Sequence, residues 1–158
     1  ANIRRFGGDP DRIYLMGHSA GAHIAVLLAL DPRYLRAAGV PRAAIRGAIG
    51  LAGPYAFRPR RVRWLSGIFA RHPRPNARPI AYATNIGPRL LLLHGAHDRL
   101  IRQSDPEAMA AAYRRAGGRV RLRVYPDLNH ISVLMSLAPH LGGDGPVEAD
   151  ILDFVGRP

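Results

Sequence analysis

Gly17-His18-Ser19-Ala20-Gly21 is the stretch that decides the fold, because it separates two apolar runs of different character. Residues 12–17 have the pattern of a short buried strand, and residues 20–30 have the small and apolar composition of a buried helix. A strand, a tight turn and a helix in this order hold a serine in a strained backbone conformation with its hydroxyl exposed. We therefore predict that Ser19 is a nucleophile. The alternative is an ordinary Gly-Ser turn of an α/β protein.

The two glycines of this stretch have a steric explanation. A side chain at Gly17 or at Gly21 is expected to collide where the strand and the helix pass closely. We therefore expect neither position to accept a larger residue.

Three further segments have the patterns of strands. Residues 46–52 form the next predicted strand, and residues 89–94 contain four consecutive leucines, which is typical of the interior of a parallel sheet. Residues 119–125 alternate arginine with valine and leucine, which predicts an edge strand with one face exposed to water. Helical patterns separate the strands, and the spacing of Ser104 and Glu107 predicts a capping box at the start of one helix. The predicted fold class is α/β, with a mostly parallel sheet and helices on both faces.

The first strand indicates that the domain is larger than this chain. Residues 12–17 have the composition of a central strand, yet almost nothing precedes them that could pair with their other side. We expect residues 1–158 to be the C-terminal part of a single domain whose earlier strands belong to a longer protein. Residues 56–79 are rich in arginine and proline around one apolar group that includes Trp64. We predict that they form an insert over one end of the sheet.

The composition excludes several functional classes. Apolar residues make up 47% of the 158 residues, and the absence of cysteine excludes disulfides and cysteine-ligated zinc. No run of about 20 apolar residues is present, so we expect no membrane span. With no visible signal peptide, we favour the cytoplasm. The net charge of +12 comes entirely from arginines that are spread along the chain without a nucleic-acid-binding motif. We expect no nucleic-acid partner, no cofactor and no metal, since His94 and His97 lack companions at metal-ligand spacing.

A serine hydroxyl is a poor nucleophile until a base takes its proton, and the base needs an acid to orient it. In an open α/β sheet such groups are expected in loops at the carboxyl ends of strands. Asp98 and His130 follow the third and fourth predicted strands, which gives the chain order Ser, Asp, His. Asp127 is the alternative acid, although it lies in the same loop as the histidine. His18 and His23, on either side of Ser19, are expected to pack beneath the site.

Three stretches carry a resemblance to a known family. Gly17 to Gly21, the chain order Ser, Asp, His and the placement of Asp98 and His130 resemble the α/β-hydrolase superfamily. More narrowly, the carboxylesterase and lipase-like branch that also contains kynurenine formamidases is resembled by three stretches: Phe6-Gly7-Gly8-Asp9-Pro10, Gly17-His18-Ser19-Ala20-Gly21-Ala22-His23 and Leu93-His94-Gly95. The resemblance implies an α/β-hydrolase fold that lacks its N-terminal strands.

The resemblance also implies a mechanism. Ser19 would be the nucleophile, His130 the general base and then acid, and Asp98 the residue that orients His130. The reaction would be hydrolysis of a small-molecule carboxylic ester, or of an arylformamide, through an acyl-enzyme. The backbone N–H of Ala20 would be one oxyanion donor. The second donor normally comes from an upstream His-Gly-Gly loop that is absent here, so we expect the isolated chain to be nearly inactive.

The substrate pocket and two alternative functions remain open at this point. His18, Tyr55 and Trp64 are candidates for lining a substrate pocket. A serine peptidase of the prolyl-oligopeptidase kind would use the same three catalytic groups. A non-catalytic hydrolase-like binding module is the third candidate, which the presence of Ser19, Asp98 and His130 argues against.

Overall fold

The order of strands and helices along the chain follows the predicted α/β pattern. A computed structural model describes residues 2–56, 77–138 and 145–156. Within these ranges the elements are β1 (Ile13–His18), α1 (Ala20–Leu30), α2 (Pro32–Ala37), β2 (Ile45–Leu51), β3 (Arg89–Gly95), α3 (Ser104–Arg115), β4 (Val120–Tyr125), α4 (Ser132–Met135) and α5 (Pro146–Gly156). No helix of this described part has the length and apolarity to span a bilayer.

The four strands form one parallel sheet in the order β1-β2-β3-β4. In the register of the sheet, Leu15 lies opposite Ala48, and Ala48 lies opposite Leu90. All four strands run in the same direction, so their carboxyl ends meet at one edge of the sheet. Ser19 and the loops that carry Asp98 and His130 all follow strands at this edge. The predicted fold class is confirmed.

Helices cover both faces of the sheet. On one face, α1 and α3 pack against the strands through fully buried side chains such as Val26, Leu92 and Met109. On the other face, α4 and α5 contribute Val133 and Phe154 to a second apolar cluster. Burying an aliphatic or aromatic side chain of this size stabilises the fold by about 1.5–3 kcal/mol. The sheet is thus fixed from both sides, which gives the loops at its carboxyl edge a rigid base.

The strand β1 differs from the other interior-type strands in its burial. Among the described residues it pairs with β2 alone, and Met16 is 47% exposed. The side chains of β2 and β3, by contrast, are almost all buried. The expectation that further strands of a longer protein flank β1 stays a prediction.

The arginine face of β4 is exposed in large part, as the sequence pattern predicts. Arg119 is exposed, the side chain of Arg123 is 54% exposed, and β4 lies at one edge of the described sheet. Arg121 differs, because its Nη1 lies 2.6 Å from a carboxylate oxygen of Asp153 and its side chain is only 30% exposed. Arg123 Nε also lies 3.2 Å from Asp150. Both aspartates belong to α5, and the alternation of β4 alone could not predict these ion pairs.

The start of α3 also differs from its prediction. Ser104 is the first residue of the helix, and Gln103 precedes it without a side-chain cap hydrogen bond. Gln103 Nε2 instead donates to Glu107 at 2.7 Å. The predicted capping box is therefore wrong. A different acidic residue at this helix start, Asp105, connects the helix to the segment after β2. Its Oδ1 accepts hydrogen bonds from the backbone N–H groups of Tyr55 and Ala56.

The two ends of the predicted insert are attached to α1. His23 Nδ1 lies 2.7 Å from the carbonyl oxygen of Pro54, and its Nε2 lies 2.7 Å from that of Ala77. The prediction for residues 56–79 otherwise falls on residues 57–76, Trp64 included, which lie outside the described residues.

Candidate active site

The turn between β1 and α1 has the strained geometry expected of a nucleophile elbow. Ser19 has φ 53° and ψ −118°, a positive φ that only one other non-glycine residue of the described chain adopts. Its backbone N–H donates to the carbonyl of Leu51 at 2.8 Å, which fixes the turn to the neighbouring strand. Such strain persists only where the surrounding structure enforces it, and it is common at reactive positions.

The two glycines of the elbow have different roles. A Cβ atom at Gly17 would collide with the backbone of Gly21 and would lie 2.8 Å from the backbone nitrogen of Ala22. A Cβ atom at Gly21 would meet no atom of the described residues within 4 Å. Among these residues the prediction is therefore confirmed for Gly17 and wrong for Gly21. Gly21 supplies the helix backbone that lies against Gly17.

The structure brings the three predicted side chains together. His130 Nε2 lies 3.0 Å from Ser19 Oγ, and His130 Nδ1 lies 2.7 Å from Asp98 Oδ2. The side chain of Asp98 is fully buried, and His130 is only 7% exposed. Asp127, the alternative acid, is exposed in the loop that precedes His130. The carboxylate that contacts the imidazole is that of Asp98.

Asp98 is held as an anion by hydrogen bonds. Burial by itself would raise the pKa of this carboxyl, but the backbone N–H groups of Ile101 and Leu100 and the ring of His130 together lower its pKa below the usual value. Oδ1 accepts from Leu100 and Ile101 at 2.8 and 2.9 Å, which leaves Oδ2 for His130. An ionised carboxylate only accepts, so the proton of the neutral imidazole resides on Nδ1. Nε2 is then free to accept the proton of Ser19 Oγ.

The loop of His130 is organised by one asparagine. Asn129 Oδ1 accepts hydrogen bonds from the backbone N–H groups of Ile131 and Ser132 at 2.9 and 3.0 Å. The backbone N–H of Asn129 in turn donates to Ser132 Oγ at 2.7 Å. An asparagine that bonds to the backbone two and three residues further on is typical of a tight turn. This turn opens α4 and directs His130 toward the sheet edge.

Gly95 allows the acid loop and the base loop to approach each other. A Cβ atom there would collide with the backbone carbonyl of Leu128. The two loops are joined at the same place by a hydrogen bond of 2.9 Å from the N–H of His97 to the carbonyl of Leu128. Gly95 in Leu93-His94-Gly95 was visible in the sequence, but its need for a residue without a side chain was not predicted.

His94 is a second residue that sequence reasoning missed. It is 1% exposed, and neither ring nitrogen has a hydrogen-bond partner among the described residues. Its Nδ1 lies 4.0 Å from Asp98 Oδ2. Burial lowers the pKa of His94 and outweighs the nearby Asp98 carboxylate, which raises it, so the ring is neutral at neutral pH. The sequence could have indicated this buried position, because His94 stands at the end of a predicted interior strand, directly before the loop of Asp98.

The remaining predicted site residues lie in different surroundings. Ala20 is the first residue of α1, where backbone N–H groups have no partner within the helix. His18 Nε2 lies 2.7 Å from the carbonyl oxygen of His130. Tyr55 is 1% exposed and packs in the apolar cluster under α1, so its ring lies in the core and not at a surface that a substrate could reach. Within the described ranges, no group of three or more acidic or histidine side chains could hold a metal ion.

Comparisons with known proteins agree with this geometry. The sequence profile of the prolyl oligopeptidase family matches residues 3–140. A probable isoprenylcysteine alpha-carbonyl methylesterase of Oryza sativa subsp. japonica is 30% identical over 174 residues, which cover 97% of this chain and 42% of that protein. The esterase LipQ of Mycobacterium tuberculosis is 31% identical over 146 residues, which cover 82% of this chain and 35% of that protein.

A solved structure shows the same fold. The thermophilic esterase Est2 of Thermogutta terrifontis superposes with a TM-score of 0.73 over 98% of this chain and 60% of its own, at 21% identity. The chain thus spans less than half the length of the two esterases named above and has the fold of an α/β hydrolase. The chain belongs to the prolyl oligopeptidase family, within the α/β-hydrolase superfamily.

Proposed function

We propose that the protein is a serine hydrolase that cleaves a small carboxylic ester through an acyl-enzyme. The observation that carries this proposal is the continuous path from Ser19 Oγ to His130 Nε2, at 3.0 Å, and from His130 Nδ1 to Asp98 Oδ2, at 2.7 Å. Esterases among the relatives support an ester as the substrate. An arylformamide is the alternative substrate, because the same three groups could attack its carbonyl and release the amine.

The geometry supports one order of proton transfers. As Ser19 Oγ attacks the carbonyl carbon, His130 Nε2 takes its proton and the Asp98 carboxylate stabilises the resulting imidazolium. The imidazolium then gives that proton to the leaving alcohol, and the acyl group stays on Ser19. A water molecule attacks the acyl-enzyme with His130 again as base, which releases the acid and restores the serine.

The backbone N–H of Ala20 would stabilise the oxyanion of each tetrahedral intermediate. It directly follows the nucleophile at the start of α1, where the helix dipole also favours negative charge. Removing one donor of an oxyanion hole typically costs about 10²–10³ in rate. The second donor is expected from an upstream His-Gly-Gly loop that residues 1–158 do not contain. We therefore expect the 158-residue chain alone to be far less active than the protein at its natural length.

A serine peptidase is the second candidate, because the family profile that matches this chain is that of the prolyl oligopeptidases. The same three side chains would then attack a peptide carbonyl. The two candidates differ in leaving group. A comparison of turnover on a 4-nitrophenyl ester and on a peptidyl 4-nitroanilide of the natural-length protein separates them. Because serine peptidases also cleave activated esters, the esterase proposal stands only if the ester is cleaved and the nitroanilide is not.

The test of the chemistry is the Ser19→Ala variant of the natural-length protein. We expect its kcat on a 4-nitrophenyl ester to fall by about 10⁶-fold, since nucleophile and base act as a unit. A fluorophosphonate probe should label the wild type at Ser19 and leave the variant unlabelled. Ser104→Ala makes the same change at an exposed helix start and should leave both readouts unchanged. A wild-type protein that the probe does not label would support a binding module instead.

A further inference from the structure

We propose that His18 is a positioning residue that holds the main chain of His130 against the elbow, and so keeps the imidazole of His130 aligned with Ser19. This inference rests on the proposed function, because it assigns a task only if His130 acts as the base. Nothing in the chemistry of the triad itself requires a histidine at this position.

The contact that carries the inference is a hydrogen bond between residues 112 positions apart. His18 Nε2 lies 2.7 Å from the backbone carbonyl oxygen of His130. A carbonyl only accepts, so His18 is the donor and its Nε2 carries a proton. The two imidazoles lie side by side, with centroids 4.8 Å apart and planes inclined by 53°. His18 therefore contacts both the main chain and the ring of His130.

The donor belongs to a strand of the parallel sheet. His18 is the last residue of β1 and lies opposite Leu51 in the sheet register. Leu51 is buried, and its carbonyl also accepts the hydrogen bond from the N–H of Ser19. The nucleophile and the His18 donor are thus fixed to the same pair of strands.

The acceptor belongs to the less regular part of the site. His130 lies in a loop whose described hydrogen bonds run mainly to its own neighbours, through Asn129. The ring of His130 reaches Asp98 and Ser19, but both of those contacts depend on where the main chain holds the ring. The His18 bond ties that main chain directly to the strand that ends at Ser19. A displacement of about 1 Å at a reacting group costs on the order of 10²-fold in rate.

A positioning role differs from the pocket role that the sequence also suggested for His18. A residue that only contacts substrate affects the KM when it is removed, whereas one that aligns the base affects the kcat. The two roles also differ in which replacement restores activity. The amide nitrogen of glutamine reaches about as far as Nε2 of histidine, while that of asparagine ends nearer to the position of Nδ1. His18→Gln keeps the donor within reach of the His130 carbonyl, and His18→Asn does not.

The experiment compares these two variants in the natural-length protein. We expect His18→Asn to lower the kcat on a 4-nitrophenyl ester by about 10²-fold with an unchanged KM, and His18→Gln to retain most of the wild-type kcat. The rate of fluorophosphonate labelling at Ser19 should follow the kcat in both. His97→Asn is the matched control, because His97 is an exposed histidine of the acid loop, and it should behave as wild type.

Each outcome has one consequence. Equal kcat values for His18→Asn and the wild type overturn the inference, as does a raised KM with an unchanged kcat, or an equal loss in the Asn and Gln variants. If Ser19→Ala remains active in the same assay, the proposed function fails instead. Should His18→Asn not fold, His18→Gln and His18→Phe are compared, since phenylalanine keeps the ring without the donor and is expected to lose the kcat that glutamine retains.

Discussion

The elbow that carries Ser19 and the two loops that carry Asp98 and His130 reach the same point of the structure by different means. The elbow is positioned by backbone: Ser19 has a positive φ, and Gly17 has no room for a side chain. The loops are positioned by polar bonds from side chains to backbone, such as those that Asp98 accepts from Leu100 and Ile101. The conformation of the backbone therefore specifies the elbow, whereas the loops depend on polar side chains that bond to the backbone of residues two and three positions further on.

Asp98→Asn tests the polar contacts that position the loops, and it is expected to have the largest effect of the variants below. The amide nitrogen of asparagine would face His130 Nδ1, so the imidazole proton would move to Nε2 and the ring could no longer accept from Ser19. A loss of about 10⁴-fold in kcat is expected, with little change in the fold. Steady-state kinetics on a 4-nitrophenyl ester and circular dichroism of the natural-length protein measure both effects.

Asp127→Asn is the matched control for this change. Asp127 is exposed in the loop of His130 and differs from Asp98 in lying away from Nδ1. It should leave kcat at the wild-type level. A larger loss for Asp127→Asn than for Asp98→Asn would show that the acid has been assigned to the wrong residue.

Gly17→Ala tests whether the elbow is positioned by its backbone. The added Cβ would overlap the backbone of Gly21, which cannot move without shifting α1. Overpacking against backbone is expected to lower the free energy of unfolding by about 3 kcal/mol. Gly21→Ala adds the same methyl group in open space within a helix and should change the stability by less than about 1 kcal/mol. Urea denaturation of the two variants separates them, and equal losses would refute the steric account of the elbow.

A smaller effect is expected from His94, which lies between the buried strand and the acid loop. Its pKa is lowered by burial, so below about pH 6.5 the unfolded chain takes up a proton that the folded chain resists. Acid therefore weakens the fold through this residue, by up to about 1.4 kcal/mol per pH unit. In His94→Leu this contribution disappears, so the variant should lose less stability than the wild type between pH 7 and pH 5.

The readout for His94 is the free energy of unfolding in urea at the two pH values. His97→Leu is the control, because His97 is exposed and its removal should leave the pH dependence as in the wild type. The interpretation fails if His94→Leu and the wild type lose the same stability on acidification.

The sequence was sufficient for those features that depend on local pattern. Apolar runs predicted the strands β2 and β3, the four leucines of β3 predicted an interior strand, and the small and apolar residues after Ser19 predicted the helix α1. The order of Ser19, Asp98 and His130 along the chain was enough to expect them at one edge, because parallel strands place their carboxyl ends together. The structure brings these three side chains within hydrogen-bond distance of one another.

Features that depend on a partner from elsewhere in the chain could not be predicted. The arginines of β4 alternate as on a surface strand, and only the position of α5 shows that Asp150 and Asp153 form ion pairs with Arg121 and Arg123. Tyr55 follows a strand end, as a residue lining a pocket would, but Gly50 and Gly53 leave space for its ring in the core. The acidic residue of α3 that matters is Asp105, because its partners are backbone N–H groups 49 and 50 positions away.

The imidazole of His23 has a consequence for how proteins built like this one could diversify. It joins the carbonyls of Pro54 and Ala77, which bracket a stretch of about twenty residues, to the helix that starts at the nucleophile. With both anchor points fixed, each doubling of the length between them adds only about 0.6 kcal/mol of closure entropy. A change in the length of this stretch is therefore compatible with an unchanged position of the Ser19 hydroxyl.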